Sequence, residues 1–181
     1  MTVRPTEPGD AEAVAAIYAH AVLHGFGTFE EVPPSPAEME TRRLRVRAHG
    51  LPHLVAERDG AVAGFAYAAP FRPRPAYRFT AEDTVYVHPD LQGRGVGRQL
   101  LGEVAEACRL LGVRQLVALI GDSGNAASIR LHEALGFRRA GVLESVGCKH
   151  GRWLDVVWMQ RELHSGASGD ELRSGLVLAE P

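Results

Sequence analysis

The stretch Thr84-Val85-Tyr86-Val87-His88-Pro89-Asp90-Leu91-Gln92-Gly93-Arg94-Gly95-Val96-Gly97-Arg98 decides how the chain is read. Its first four residues are β-branched or aromatic and predict a strand, which His88-Pro89 stops. The segment Gly93–Gly97 then opens a helix that runs to Leu111 and is closed by Gly112. Glycines between a strand and a helix let successive backbone N–H groups turn inward, and the helix N-terminus adds partial positive charge. Together these make a pyrophosphate site; a flexible turn is the competing reading of a glycine triplet on its own. Two familiar phosphate loops are excluded. A P-loop ends in Gly-Lys-Ser/Thr, whereas Gly97 is followed by Arg98 and Gln99. A dinucleotide fingerprint counted from Gly93 needs glycine at position 98, where Arg98 stands.

Outward from this stretch the chain alternates in short elements. A strand at Thr2–Arg4 precedes Asp10, a helix N-cap, and a helix to about Leu23 whose Val14, Ile17, Tyr18, Ala21 and Val22 share one face. His24–Pro34 reads as a loop. Ser35-Pro36-Ala37-Glu38 reads as a capping box starting a second helix that ends near Gly50. Leu54–Glu57 and Val62–Ala69 flank Asp59-Gly60, a hairpin signal. Phe71–Tyr77, with Arg72-Pro73-Arg74-Pro75, is an extended loop. Leu116–Ile120 is a strand, Asn125–Leu135 a helix ended by Gly136, and Arg139–Val146 and Leu154–Leu163 are late strands. The order is βααβββαβαββ: an α/β (α+β) domain over residues 1–163, followed by a mobile extension over 164–181.

Composition narrows the function. The 181 residues carry a formal net charge of −2, with 45% hydrophobic and 23% charged residues, as in an ordinary globular domain. That balance argues against nucleic acid as partner, which needs a basic field. No stretch approaches a membrane span and no basic-then-apolar leader opens the chain, so the expected location is cytoplasmic. The two cysteines, Cys108 and Cys148, are expected as buried reduced thiols and have no metal-ligand spacing. His132-Glu133 lacks the second histidine of a zinc motif, since position 136 is glycine; no metal is expected.

Q-x-x-G-x-G at Gln92–Gly97, after Val85-Tyr86-Val87 and before an amphipathic helix, resembles the coenzyme A signature of the GCN5-related N-acetyltransferases (GNAT), a family whose element order is also βααβββαβαββ. Thr80–Val87, Ala127–Phe137 and Lys149–Gln160 resemble the phosphinothricin and methionine sulfoximine acetyltransferase branch, and the likeness spans about residues 2 to 163. The resemblance implies a mixed, mostly antiparallel, splayed sheet flanked by about four helices. Acetyl-CoA would lie in the gap between Val85–Val87 and Leu116–Ile120. It implies that the main chain of Val85, Tyr86 and Val87 pairs with the pantetheine arm, and that Gly93, Arg94, Gly95, Val96, Gly97 and Arg98 hold the pyrophosphate. Asn125 would bond the pantetheine, a role compatible with capping its helix.

The same resemblance makes Glu82 the base that takes a proton from the amine, since an ammonium is no nucleophile; read from the residues alone it is a solvated strand-edge carboxylate. His132 stands where many family members carry a tyrosine that protonates the departing thiolate, and histidine can serve as acid or base; its other reading is a ring packed against the sheet. Arg72, Arg74 and Tyr77 match residues that hold an anionic head group, although the prolines at 73 and 75 depart from the branch. Phe29 matches an aromatic wall of the substrate pocket, and Lys149-His150-Gly151 a loop that closes it and reaches a homodimer contact. The implied reaction is direct attack of a small-molecule amine on the thioester, steadied by a backbone N–H of Val85–Val87, with neither cysteine as nucleophile. Acetylation of a protein N-terminus or an aminoglycoside, and a non-catalytic acyl-CoA sensor, are the competing readings; Arg72 and Arg74 speak against a polycation.

Overall fold

The computed structural model describes residues 1–164 and 175–176. Seven strands and four α-helices follow one another as β1 (Thr2–Pro5), α1 (Ala11–His24), α2 (Pro36–Ala48), β2 (His53–Arg58), β3 (Ala61–Pro70), β4 (Thr80–Val87), α3 (Val96–Leu110), β5 (Gln115–Gly121), α4 (Ala126–Ala134), β6 (Arg138–Lys149) and β7 (Arg152–Glu162). This is the order expected from sequence. The strands form one sheet, β1-β2-β3-β4-β5-β7-β6, in which only β4 and β5 run parallel.

Local chemistry explains most boundaries. Asp59 (φ 54°) and Gly60 (φ 79°) make the tight β2–β3 turn. Ser35 caps α2 by accepting from the Glu38 amide at 3.2 Å, with Pro36 as its first residue. The second half of the expected box is missing, because the Glu38 carboxylate pairs with Arg42 at 3.0 Å. Asp10 also departs from expectation: it ends a 3-10 turn, bonds the Glu7 amide at 2.8 Å and is held by Arg4, so it braces the entry to α1 instead of capping it. The proline–arginine loop is not wholly extended, since Pro75–Tyr77 close a 3-10 turn. β4 begins at Thr80, four residues before Thr84, which brings Glu82 and Asp83 into the strand.

Alternation along the strands sorts the core into two layers. Val55 and Phe65 face α1, joining Val14, Ile17, Tyr18 and Val22. Ala56, Ala66, Ala68 and Ala81 face the other way, against Leu100, Leu101 and Val104 of α3. The small residues let α3 approach closely; a β-carbon on Gly64 would lie 3.2 Å from the Leu100 side chain and 2.7 Å from the Tyr86 carbonyl. Each fully buried aliphatic side chain stabilises by about 1.5–3 kcal/mol. Cys108 is buried in this layer, but Cys148 is exposed, a correction that follows from its place on the edge strand β6. The expectation for the 164–181 tail falls mostly outside the described residues. Leu176 is buried, and its amide donates to the Arg78 carbonyl at 2.8 Å. Among the described residues, no helix is long and apolar enough to cross a membrane.

His53 ties the first strand connection to the sheet. Its ring stacks on Tyr67 at 5.0 Å and its Nδ1 pairs with Thr6 Oγ1 at 2.8 Å. Burial, helped by the Arg43 charge, pushes its pKa down to about 4. The folded protein therefore keeps His53 neutral where an unfolded chain protonates it, below about pH 6.5. Its contribution is complete above that pH and is lost as pH falls through about 4, amounting to about 3 kcal/mol. Urea unfolding from pH 7 to 4 should show wild type losing this stability relative to His53→Asn; parallel curves would remove His53 from the account.

Candidate active site

β4 and β5 pair over three residues only, Thr80↔Gln115, Ala81↔Leu116 and Glu82↔Val117. Beyond that point β5 continues against β7 through Gly121, and β4 continues against β3 through Val87. The β5-facing main chain of Asp83–Val87 therefore lines a cleft of about 830 Å³, bounded by Val85, Tyr86 and Val87 on one side and Leu119 and Ile120 on the other. Unpaired backbone groups of this kind demand a partner.

At one end of the cleft stands the glycine loop. Gly93 (φ 72°) and Gly95 (φ 83°) are left-handed, and a β-carbon on either would meet nothing within 4 Å. Gly95 caps α3, whose first intrahelical bond outside the cap runs from Gln99 N to Gly95 O at 3.1 Å. The amides of Val96, Gly97 and Arg98 precede it and have no partner within the helix. Gly97 differs from the other two: its α-carbon packs against Leu131 and Val87, where a β-carbon would lie 3.2 and 3.4 Å away. It is a helix-packing glycine. The open, donor-rich cradle fits the pyrophosphate of acetyl-CoA.

At the other end, neighbouring residues of β4 face opposite sides. Glu82 lines the cleft with its side chain 31% exposed. Burial raises its pKa; the Arg72 guanidinium, 4.0 Å away, lowers it and Asp83 raises it. Asp83 points into the α3–α4 layer, where Oδ2 meets His132 Nε2 at 3.0 Å. His132 Nδ1 meets the Ser128 carbonyl at 2.8 Å, and since a carbonyl only accepts, Nδ1 carries the proton. Both nitrogens of His132 are thus engaged, and its side chain is 3% exposed. Burial raises the Asp83 pKa, while Asp83 and the Ser128 carbonyl outweigh burial to raise that of His132. Asp83 Oδ1 is buried without a partner.

The arginine loop borders the Glu82 end. Arg72 lies over the Phe71 ring at 4.3 Å and 5.9 Å from the Trp158 ring. Tyr77 meets Phe71 edge to face at 5.5 Å. Both expected arginines are exposed, and among the described residues Arg72 is the one placed within 4.0 Å of Glu82. The α1–α2 loop supplies the facing wall: Gly25, Phe26, Gly27 and Thr28 line the cleft, and Phe29 packs beside Gly27 against Gly121. Thr28 Oγ1 pairs with Tyr18 at 2.8 Å, and Tyr18 donates to Glu30, which Arg42 holds at 2.6 Å. Asn125 caps α4 by accepting from Ser128 N at 3.2 Å, with its amide nitrogen beside Gly27.

Sequence reasoning missed Asp83, Tyr18 and Thr28. Asp83 carried a signal, a charged residue in a run with apolar alternation, which requires a buried partner. Lys149, expected in a closing loop, is instead the last residue of β6 and 1% exposed. Among the described residues no group of three His, Cys, Asp or Glu is placed to hold a metal ion.

Comparison with known proteins agrees with this geometry. The model of the acetyltransferase (GNAT) family matches residues 17–137. A phosphinothricin N-acetyltransferase of Alcaligenes faecalis is 56% identical over 91% of this chain and 84% of its own. An L-methionine sulfoximine/L-methionine sulfone acetyltransferase of Salmonella typhimurium is 41% identical, covering 94% and 99%. The crystal structure of a phosphinothricin acetyltransferase from Sinorhizobium meliloti in complex with acetyl-CoA superposes with a TM-score of 0.91 at 43% identity, covering 96% of this chain and 94% of that one. The family match over residues 17–137 and these relatives show that the chain belongs to the GNAT family of N-acetyltransferases.

Proposed function

We propose that this N-acetyltransferase moves the acetyl group of acetyl-CoA onto the α-amine of a small amino-acid-like acceptor of the phosphinothricin and methionine sulfoximine or sulfone type. The observation that carries the reading is Glu82: a partly buried carboxylate in the cleft, at the point where β4 and β5 part, beside Arg72. Acetyl-CoA supplies a thioester whose carbonyl is open to a nucleophile. Gly93–Arg98 would hold its pyrophosphate, the main chain of Val85–Val87 and Asn125 its pantetheine arm.

An α-ammonium group loses a proton before it can attack, and Glu82 is the base. Its pKa, raised by burial, makes it a better proton acceptor than an ordinary glutamate. The neutral amine then attacks the thioester, and a backbone N–H of Val85–Val87 steadies the developing oxyanion. Arg72 offers its guanidinium to the acceptor's anionic head, with Arg74, Phe29 and Tyr77 completing the surround. His132, paired with Asp83, ties α4 to β4 where both residues line the cleft, and it is placed there to serve as the acid for the departing thiolate. The homodimer reading has its support in β6, an edge strand that exposes Val142, Leu143 and Val146. The cytoplasm is the expected compartment.

Three outcomes test these assignments. Gly95→Val combines left-handed strain with a side chain entering the cradle and should weaken acetyl-CoA binding by about tenfold or more in calorimetry; an unchanged Kd would move the pyrophosphate elsewhere. Glu82→Gln should lower kcat by about 100-fold or more, measured as thiol release, with a much smaller change in acetyl-CoA affinity. The acid limb of kcat/KM should lie above the ordinary glutamate pKa, because burial favours neutral Glu82. Removing a positive charge favours that neutral form further, so Arg72→Gln should move the limb to higher pH. A limb that stays put, or moves down, refutes the pairing.

A further inference from the structure

The β6–β7 hairpin tip grips the α1–α2 loop. Lys149 donates its ammonium to the carbonyls of Gly25 and Thr28, both at 2.9 Å. Two residues earlier, Gly147 leaves room for the Phe29 ring: a β-carbon there would collide with Cε2 and lie 2.5 Å from Cδ2. His150 meets Phe26 edge to face at 6.0 Å, and the Arg152 guanidinium lies 5.0 Å from the centre of the same ring. The loop has no helix or strand between Gly25 and Ser35, so side chains from elsewhere must hold its shape.

The lysine is suited to this. Its ammonium bonds two carbonyls three residues apart and thereby sets the distance between them. Burying a cation is costly unless its donors are used, so the loop has a strong preference for the conformation that satisfies them. Burial lowers the Lys149 pKa, and the nearby Glu31 and Glu30 oppose that shift. Gly147 acts by absence. With hydrogen in place of a side chain, Phe29 lies back against the sheet; with a methyl group there the ring must move.

We propose that Lys149 is a positioning residue for the amine acceptor and Gly147 a specificity-determining one, together holding Gly25–Phe29 in the form that walls the acceptor end of the cleft. The inference rests on the reading that the acceptor lies between this loop and Glu82. It predicts an effect on the acceptor and little on acetyl-CoA, whose glycine cradle is carried by β4 and α3 at the other end.

The experiment uses the full chain, with methionine sulfone as acceptor. Lys149→Met should raise the acceptor KM by about tenfold or more, leave the acetyl-CoA Kd within about twofold, and speed amide exchange in residues 25–30. Gly147→Ala should lower turnover of methionine sulfone. In a Phe29→Ala background the same change should cost little, because the ring it displaces is gone. That relief would not follow from a merely damaged β6. An unchanged acceptor KM in Lys149→Met, an equal loss of acetyl-CoA affinity, or no relief by Phe29→Ala overturns the proposal. If wild type acetylates no amino-acid acceptor, the substrate reading falls; amide exchange still judges the clamp, and unaccelerated exchange in Lys149→Met overturns it.

Discussion

After Glu82 pairs with Val117, β4 and β5 separate, and every functional feature of the molecule follows from that parting. A half-buried strand edge without a partner is costly, since each N–H or C=O shielded from water and left unpaired forfeits a hydrogen bond. The parting of β4 and β5 leaves main-chain groups facing the cleft, which suits an extended ligand with its own amides. The glycine loop lies at the end of β4 for the same reason. Once β4 no longer needs β5, its chain turns through Gly93 and Gly95 into α3, whose first amides open onto the cleft.

The site is asymmetric across β4. Odd-numbered Ala81, Asp83, Val85 and Val87 belong to the α3–α4 layer, and even-numbered Glu82 and Tyr86 to the α1 side. Two adjacent carboxylates therefore have different fates. The Asp83 side chain, 2% exposed, is committed to His132, while that of Glu82, 31% exposed, stays open to the cleft that both line. Burial pushes both toward the neutral form, and the cations set them apart: His132 acts on one, Arg72 on the other. A proton-accepting group and a structural pair are built one residue apart by strand alternation alone.

The facing wall is assembled from distant parts of the chain. Thr28 is reached by Tyr18 from α1 and by Lys149 from β6, and Glu30 by Arg42 from α2. A loop with no regular structure is thereby held from three directions, as a binding site needs if it is to act without ordering itself first.

Periodicity, turn residues and the glycine loop made the element order, the coenzyme-binding end and the likeness to one acetyltransferase branch legible in the residues themselves. These are local properties: strand alternation, helix spacing and left-handed glycines depend on near neighbours. The Gly93–Arg98 loop was legible this way, whereas Glu82 and Arg72 were singled out only by the resemblance to that branch. What the sequence could not decide is which side chains meet. Arg72 and Arg74 are two residues apart, yet only one is brought to Glu82. His132 is read from the family resemblance as acid or base, but its pairing with Asp83, which the start of β4 at Thr80 brings into the strand, was not visible in the sequence. Lys149 bonds carbonyls 124 and 121 residues away, and Gly147 matters through a ring from the α1–α2 loop. Such pairings are set by register and layer packing, which arise only when the sheet is assembled.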